Sequence, residues 1–147
     1  MKKRIILCLI LIMSLTVFCG CGVDEIDISG YNDKEIVLEG LGAEEKVVTI
    51  EDLKALECVT VKTHSTSDKI GEVRATGPLL DTLLQEYGYK QTDFSRIEIY
   101  GDDQYDIALS SNVIDEDDII LAFGIDGEPL DEECKPVRVI IPESDSA

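Results

Sequence analysis

Whatever folds in this chain comes from the residues after position 20. The first 22, MKKRIILCLILIMSLTVFCGCG, combine three cations (Lys2, Lys3, Arg4), an apolar run from Ile5 to Phe18, and a small residue, Gly20, directly before Cys21. A charged start, a short apolar stretch and a small residue ahead of the cut are the parts of a secretory signal, and the apolar run is too short to span a bilayer comfortably. With a cysteine next in line, the segment reads as a lipoprotein signal peptide (1–20), and Cys21 becomes the acylated first residue of the mature chain. Phe18 and Cys19 depart from the Leu-then-small pair that usually precedes Gly-Cys, and bulky Phe18 makes Cys19 the poorer acceptor. An ordinary cleaved signal or a single transmembrane anchor are the alternatives. The expected location is the extracytoplasmic face of a cell membrane, held there by the lipid.

Removing 20 of the 147 residues leaves 127, enough for one domain with a substantial core and too few for two ordinary ones. Of 13 Lys and Arg, three lie in the signal, whereas all 31 Asp and Glu lie beyond it, so the mature chain carries a formal charge of −21. Such a charge repels phosphate backbones, so no nucleic-acid partner is expected. Two cysteines, Cys58 and Cys134, remain outside the targeting segment, and in an oxidising compartment they permit one disulfide. There is no C-x-x-C pair and the chain has a single histidine, His64, so no metal site is expected.

The stretch 21–34, with its acidic residues and Gly and Asn turn signals, reads as a lipidated cysteine followed by a flexible linker. A domain over 35–142 follows, and 143–147 reads as a tail. Within the domain, EIVLEGL at 35–41 and KVVTI at 46–50 read as strands, and Thr49 with Asp52 forms a capping-box pattern that starts a helix from Ile50 to about Glu57. Val59, Val61 and Thr63 alternate with polar residues, predicting a strand closed by His64 and paired through a polar turn with a second over Glu72–Ala75. Pro78 suits a first helical position, Leu79, Leu80, Leu83, Leu84 and Tyr87 share one face, and Gly88 would cap the helix. Strands follow at 96–100, 105–109, 119–125 and 137–141, with turns at Asp102-Asp103 and Asp126-Gly127. Short strands with two short helices and no regular β-α alternation indicate an α+β domain with a mixed, mostly antiparallel sheet.

Four stretches resemble the oxidoreductase molybdopterin-binding domain family, whose best-known members are sulfite oxidase-like enzymes. They are VLEG with VTIEDLKAL (37–40 and 48–56), ATGPLLDTLLQEYG (75–88), IEIYGDDQYDIAL (97–109) and IILAFGIDGEPLDEECKPVRVIIP (119–142). The last carries the family's turn Asp126-Gly127-Glu128-Pro129-Leu130 and the later Pro136-Val137-Arg138 and Pro142. The resemblance implies a sulfite oxidase-like fold over most of 35–142. It also implies a site built around a thiolate, a soft ligand for molybdenum, at the end of the strand that here reads VTVKTHSTS. This chain has Thr63, His64 and Ser65 there, Cys58 stands at the strand's beginning, and no tryptophan is present to help hold a pterin.

The resemblance therefore implies the fold more strongly than the activity. Molybdopterin enters as a cofactor by resemblance alone, and none is expected to be held. The candidate ligand-binding residues are His64, Arg74, Asp103, Tyr105 and Arg138, with no residue assigned a catalytic role. Asp103 and Tyr105 fall in the turn that edges the cofactor cavity in the family. Arg138, inside an apolar strand, needs either a carboxylate partner or the sheet edge, and an ion pair is the preferred reading. The run Asp115–Asp118 lacks the glycine and terminal glutamate of a calcium loop and reads as an acidic helical turn. The reading that results is a binding module for an unknown small ligand or envelope protein. The alternative is a molybdopterin-dependent oxidoreductase or electron-transfer component with a non-cysteine site.

Overall fold

The computed structural model of the chain describes residues 23–64, 71–101 and 106–142. The first ordered element is a strap over Val23–Lys34 that the composition had suggested would be linker. Ile26 (0% exposed), Ile28 and Tyr31 (1%) are buried in the main core. Two turns fold the strap, with Tyr31 N donating to Ile28 O at 2.9 Å and Lys34 N to Tyr31 O at 3.2 Å. The acidic residues that make this stretch look disordered alternate with the isoleucines. The apolar side can therefore be buried while the acids stay wet, which is how composition misleads here.

Strand β1 (Glu35–Leu38) pairs antiparallel with β2 (Lys46–Thr49), the register running from Glu35 opposite Thr49 to Leu38 opposite Lys46. Thr49 then caps helix α1 (Ile50–Ala55) as the sequence predicts: its hydroxyl accepts from Asp52 N at 3.1 Å, and Asp52 Oδ2 accepts from Thr49 N at 2.9 Å. Two of the orphan N–H groups at the helix start are thereby satisfied. Ile50 and Leu53 turn into the core.

Strands β3 (Cys58–His64) and β4 (Glu72–Pro78) form an antiparallel hairpin, Cys58 opposite Pro78 and His64 opposite Glu72. Pro78 thus ends a strand and does not begin the helix. The reason is local: Leu79 bridges Ile120 and Leu80 N donates to Ile119 O at 2.7 Å, which keeps the backbone extended until the partner strand ends. Helix α2 (Leu80–Gln85) then buries Leu80, Leu83 and Leu84, and Gly88, at φ 82°, ends the turn in the left-handed conformation that favours glycine. A 3₁₀ turn over Gln91–Asp93 follows, with the Gln91 side chain buried and donating to Ile114 O and Asp117 O.

The hairpin of β5 (Ile97–Tyr100) and β6 (Asp106–Leu109) leads to a third helix, α3 (Ser111–Glu116), where an acidic turn was foreseen a few residues later. The apolar run at 119–125 divides into β7 (Ile120–Ala122) and β8 (Gly124–Ile125) at the buried Phe123. The division arises because the two halves serve different partners. β7 pairs with β10 (Arg138–Ile140), while β8 pairs with β4 and, through the Asp126-Gly127 turn, with β9 (Glu128–Pro129). The larger sheet has the order β3-β4-β8-β9 and the others are antiparallel pairs. The molecule is therefore α+β with antiparallel sheets, as expected, with three α-helices among the described residues where two were foreseen.

Two glycines permit close approaches, one where β4 crosses the 119–125 segment and one where the strap meets the sheet. A Cβ on Gly77 would lie 2.1 Å from Leu121 O, and one on Gly124 would lie 2.7 to 2.9 Å from three side-chain atoms of Ile26. Backbone meets backbone at the first, and the strap seats on the sheet at the second. Among the described residues no helix is long and apolar enough to cross a membrane.

Candidate functional site

The β3–β4 hairpin sorts its side chains by face. Opposite residues in an antiparallel pair share a face, so Thr60, Lys62 and His64 stand with Thr76, Arg74 and Glu72, while Val61 and Thr63 stand with Ala75 and Val73. The second face is closed by Ile120, Ala122, Ile125 and Ile140. The first face carries the polar groups and two of the residues predicted from sequence, His64 and Arg74.

Each cation on this face already meets a carboxylate. Lys62 Nζ lies 2.9 Å from Glu72 Oε1, and Arg74 Nη2 lies 3.1 Å from Asp24 Oδ1. Glu72's carboxyl is held below its ordinary range, first by the hydrogen bond from Lys62. Asp24 comes from the strap, its N–H donating to Thr60 Oγ1 at 3.3 Å, and Thr60 and Thr76 hydroxyls join at 2.9 Å. The other oxygen of Asp24, Oδ2, is buried and accepts no hydrogen bond from the described residues. On the far side of Arg74, the family-like turn hooks onto the backbone: Arg74 N donates to Asp126 Oδ1 at 2.7 Å and Asp126 N to Arg74 O at 2.8 Å. Asp126 (φ 52°) and Gly127 (φ 82°) are both left-handed, the requirement of a two-residue hairpin turn.

His64 and Arg74 are thus brought to one face, with His64 exposed at its end. Arg138 is not joined to them. It is half-buried on β10, the edge strand of its own pair, opposite Ala122, and no ion pair of the described residues involves it. The ion pair foreseen for Arg138 gives way to the sheet edge, where its guanidinium keeps access to water. Asp103 and Tyr105 lie outside the described residues, as does Cys21. Asp24 and Thr60 were not singled out in the sequence, and Asp126 was read there only as a turn residue. The Ile26/Ile28 alternation was the signal that the strap belongs to the domain.

The disulfide foreseen between Cys58 and Cys134 is not formed in this structure, and both thiols are free. Cys58 Sγ instead faces the end of α1, 3.4 Å from Leu56 O and 3.7 Å from Leu53 O, and burial pushes its pKa up to about 11. It is a protonated thiol at neutral pH. It also stands at the wrong end of β3: five residues at about 3.3 Å each put it roughly 17 Å of strand from Thr63. At the His64 end the described residues offer the buried Thr63 hydroxyl and the exposed imidazole, both harder donors than a thiolate. An anionic pterin phosphate would find Lys62 and Arg74 already engaged. The described residues therefore do not fit a thiolate-held molybdenum and its pterin. No group of three or more His, Cys, Asp and Glu suited to a metal occurs among them.

A separate groove of about 840 Å³ lies between α1 and α2. Asp52, Glu57 and Glu86 line it with Leu56, Leu83 and Tyr87, and none of the predicted site residues does. Its acidic wall suits no anion.

A comparison with curated proteins finds no match. The family model for the oxidoreductase molybdopterin binding domain matches residues 25–145, beginning inside the strap that the structure packs into the core. With its α+β architecture and the Asp126-Gly127 turn hooked to β4, the chain belongs to the oxidoreductase molybdopterin-binding domain family.

Proposed function

We propose that this chain is a lipid-anchored extracytoplasmic protein whose molybdopterin-binding-like domain serves as a ligand- or partner-binding module, without turnover of its own. One observation carries the non-catalytic part. Where the family's enzymes present a thiolate, β3 ends in a buried Thr63 and an exposed His64, and the nearest thiol in sequence, Cys58, is protonated and faces α1. A scaffold retained without its soft ligand is suited to recognition on its polar β3–β4 face, where His64, Lys62 and Arg74 remain open to solvent on one side. Membership of the family favours a second reading, a molybdopterin-dependent oxidoreductase with a non-cysteine site.

One experiment separates the two. The full chain, produced in a host that makes molybdenum cofactor, is purified and assayed for metal and for sulfite oxidation. The binding-module reading expects cooperative unfolding, well under one molybdenum per chain and no sulfite oxidation. Stoichiometric molybdenum with turnover that vanishes in His64→Ala would overturn it in favour of the enzyme. Lipid anchoring is tested separately by intact mass of the detergent-extracted protein: acylation at Cys21 is expected, and retention of residues 1–20 or an unmodified Cys21 would refute it.

A further inference from the structure

We infer that the groove at the carbonyl ends of α1 and α2 docks a basic segment of a partner protein, one that sets apolar side chains among Lys or Arg residues. None of the residues of the β3–β4 face lines this groove, so docking there is independent of any ligand on that face and of the Cys21 anchor. The lining comes mostly from the last turns of the two helices and the residues just after them, Ala55, Leu56 and Glu57 on one side and Glu86 and Tyr87 on the other. Leu56 and Tyr87 are partly buried against the core, and the surface they have left makes the groove apolar between its acids. About 840 Å³ is room for several side chains. The groove is open to solvent and not enclosed, so a small molecule would keep much of its surface in water. A chain laid across it, with apolar anchors one helical turn apart, would cover it.

Charge selects the occupant. Asp52, Glu57 and Glu86 are the charged residues of the lining, three carboxylates with no cation beside them. No ion pair of the described residues involves any of the three. Asp52 holds the Thr49 cap through Oδ2 alone, which leaves Oδ1 to accept from another donor. Lys54, the basic residue in the last turn of α1, is drawn away, its Nζ donating to Ile26 O at 2.6 Å, and α2 has no basic residue in its last turn. Helix carbonyl ends carry partial negative charge, so both termini add to the field of the carboxylates where a cation would normally offset it. Tyr87 supplies an aromatic ring against which an ammonium or guanidinium can rest. The same field repels anionic lipid and nucleic acid, and a second copy of the chain, at a formal −18, meets it with like charge. A basic partner is steered toward it.

The test measures, by fluorescence anisotropy, binding of a labelled peptide of about eight residues, two Leu one helical turn apart with four Lys around them. The full chain is held in phosphatidylcholine nanodiscs, and binding to empty discs is subtracted. Glu57→Gln/Glu86→Gln removes charge from the groove without touching the Asp52 cap, and Ala55→Lys places a cation in it at an exposed position. Glu128→Gln/Glu133→Gln removes the same charge at exposed positions outside the groove. Thermal unfolding confirms each fold, and either groove variant suffices where the other does not fold. At about 0.15 M NaCl saturable binding is expected, with the dissociation constant about tenfold higher in each groove variant and less than about twofold higher in the Glu128/Glu133 control. A companion peptide with Ser for both Leu should bind about tenfold more weakly. Equal loss in the groove and control variants would reduce the attraction to general acidity and overturn the inference. Equal binding of the Ser peptide, or no saturable binding at all, would overturn it too. Tighter binding of benzyltrimethylammonium than of the peptide would assign the groove to a small molecule, and self-association abolished by Ala55→Lys would assign it to a second copy; either result overturns it.

Discussion

Cys58 shows how a side chain's surroundings decide its chemistry. Its thiol sits half-buried between the end of α1 and the start of β3, and the desolvation that raises its pKa from 9.0 to about 11 outweighs the opposing pull of Lys54. Two units mean about a hundredfold less thiolate at neutral pH than in an unfolded chain, and thiolate is the species that reacts. Alkylation of Cys58 by iodoacetamide at pH 8, followed by peptide mass, should run about 100-fold slower in the folded protein than in urea. Comparable rates would show that the site is not shielded. Tyr31 obeys the same logic: burial lifts its phenol above the ordinary value, which keeps it protonated and able to donate to Phe123 O while accepting from Leu130 N at 3.3 Å.

Among the elements, the strap and the β4 crossing matter most because other pieces are assembled on them. Ile26 fills the space that Gly124 leaves and is completely buried, so Ile26→Ala should cost about 2–5 kcal/mol in urea unfolding, the range for large-to-small core changes. A true linker residue would cost nothing measurable. Gly77 makes the opposite case. A methyl there would meet Leu121 O at 2.1 Å, and because the obstacle is backbone it cannot swing away. Gly77→Ala should therefore destabilise by about 3 kcal/mol or more, with β4 and β7 forced apart. A variant as stable as the parent would mean the crossing is looser than described. Elsewhere, the Thr49/Asp52 box shows an element whose start was legible from two residues, because both hydrogen bonds it needs are local.

At the scale of the molecule, charge dominates. With a formal charge of −18 on the chain, self-repulsion opposes compaction, while the four ion pairs within the described residues are largely surface pairs that contribute little. Screening should therefore help more than it harms, and at pH 7 the melting temperature of the protein should rise when NaCl is added from 0.05 to about 0.5 M. A fall would mean that specific pairs outweigh the general repulsion. Acid acts in the other direction once carboxylates protonate. Asp27, Asp52, Glu72, Glu98 and Glu132 are held below their ordinary values, chiefly by hydrogen bonds from Ser29, Thr49, Lys62, Tyr100 and Lys135 respectively. A depressed carboxyl contributes stability above its unfolded value, here 3.8 to 4.5, and that contribution is lost as pH falls through the folded value. Calorimetry should show the melting temperature falling below about pH 4, after any gain from reduced repulsion above it.

Much of this architecture was written in local pattern. The period-two run at 58–64, the Leu79–Tyr87 apolar face, the Thr49/Asp52 cap and the Asp126-Gly127 turn each depend on residues a few positions apart, so sequence alone determined them, together with the α+β class and the family. Tertiary structure decided what depends on distant partners. Pro78 looked like a helix start until the Leu80-to-Ile119 hydrogen bond kept it in a strand, and the run at 119–125 looked continuous until two different sheets claimed its halves. The strap looked like solvated linker because Ile26 and Tyr31 find their burial against Gly124, Phe123 and Leu130, about a hundred residues away. Of the candidate site, His64 and Arg74 were legible as residues. That Arg74 is held between Asp24 and Asp126, and that Arg138 stands on a separate edge, follows only from the pairing of strands, since charge and type do not say which carboxylate a cation will meet.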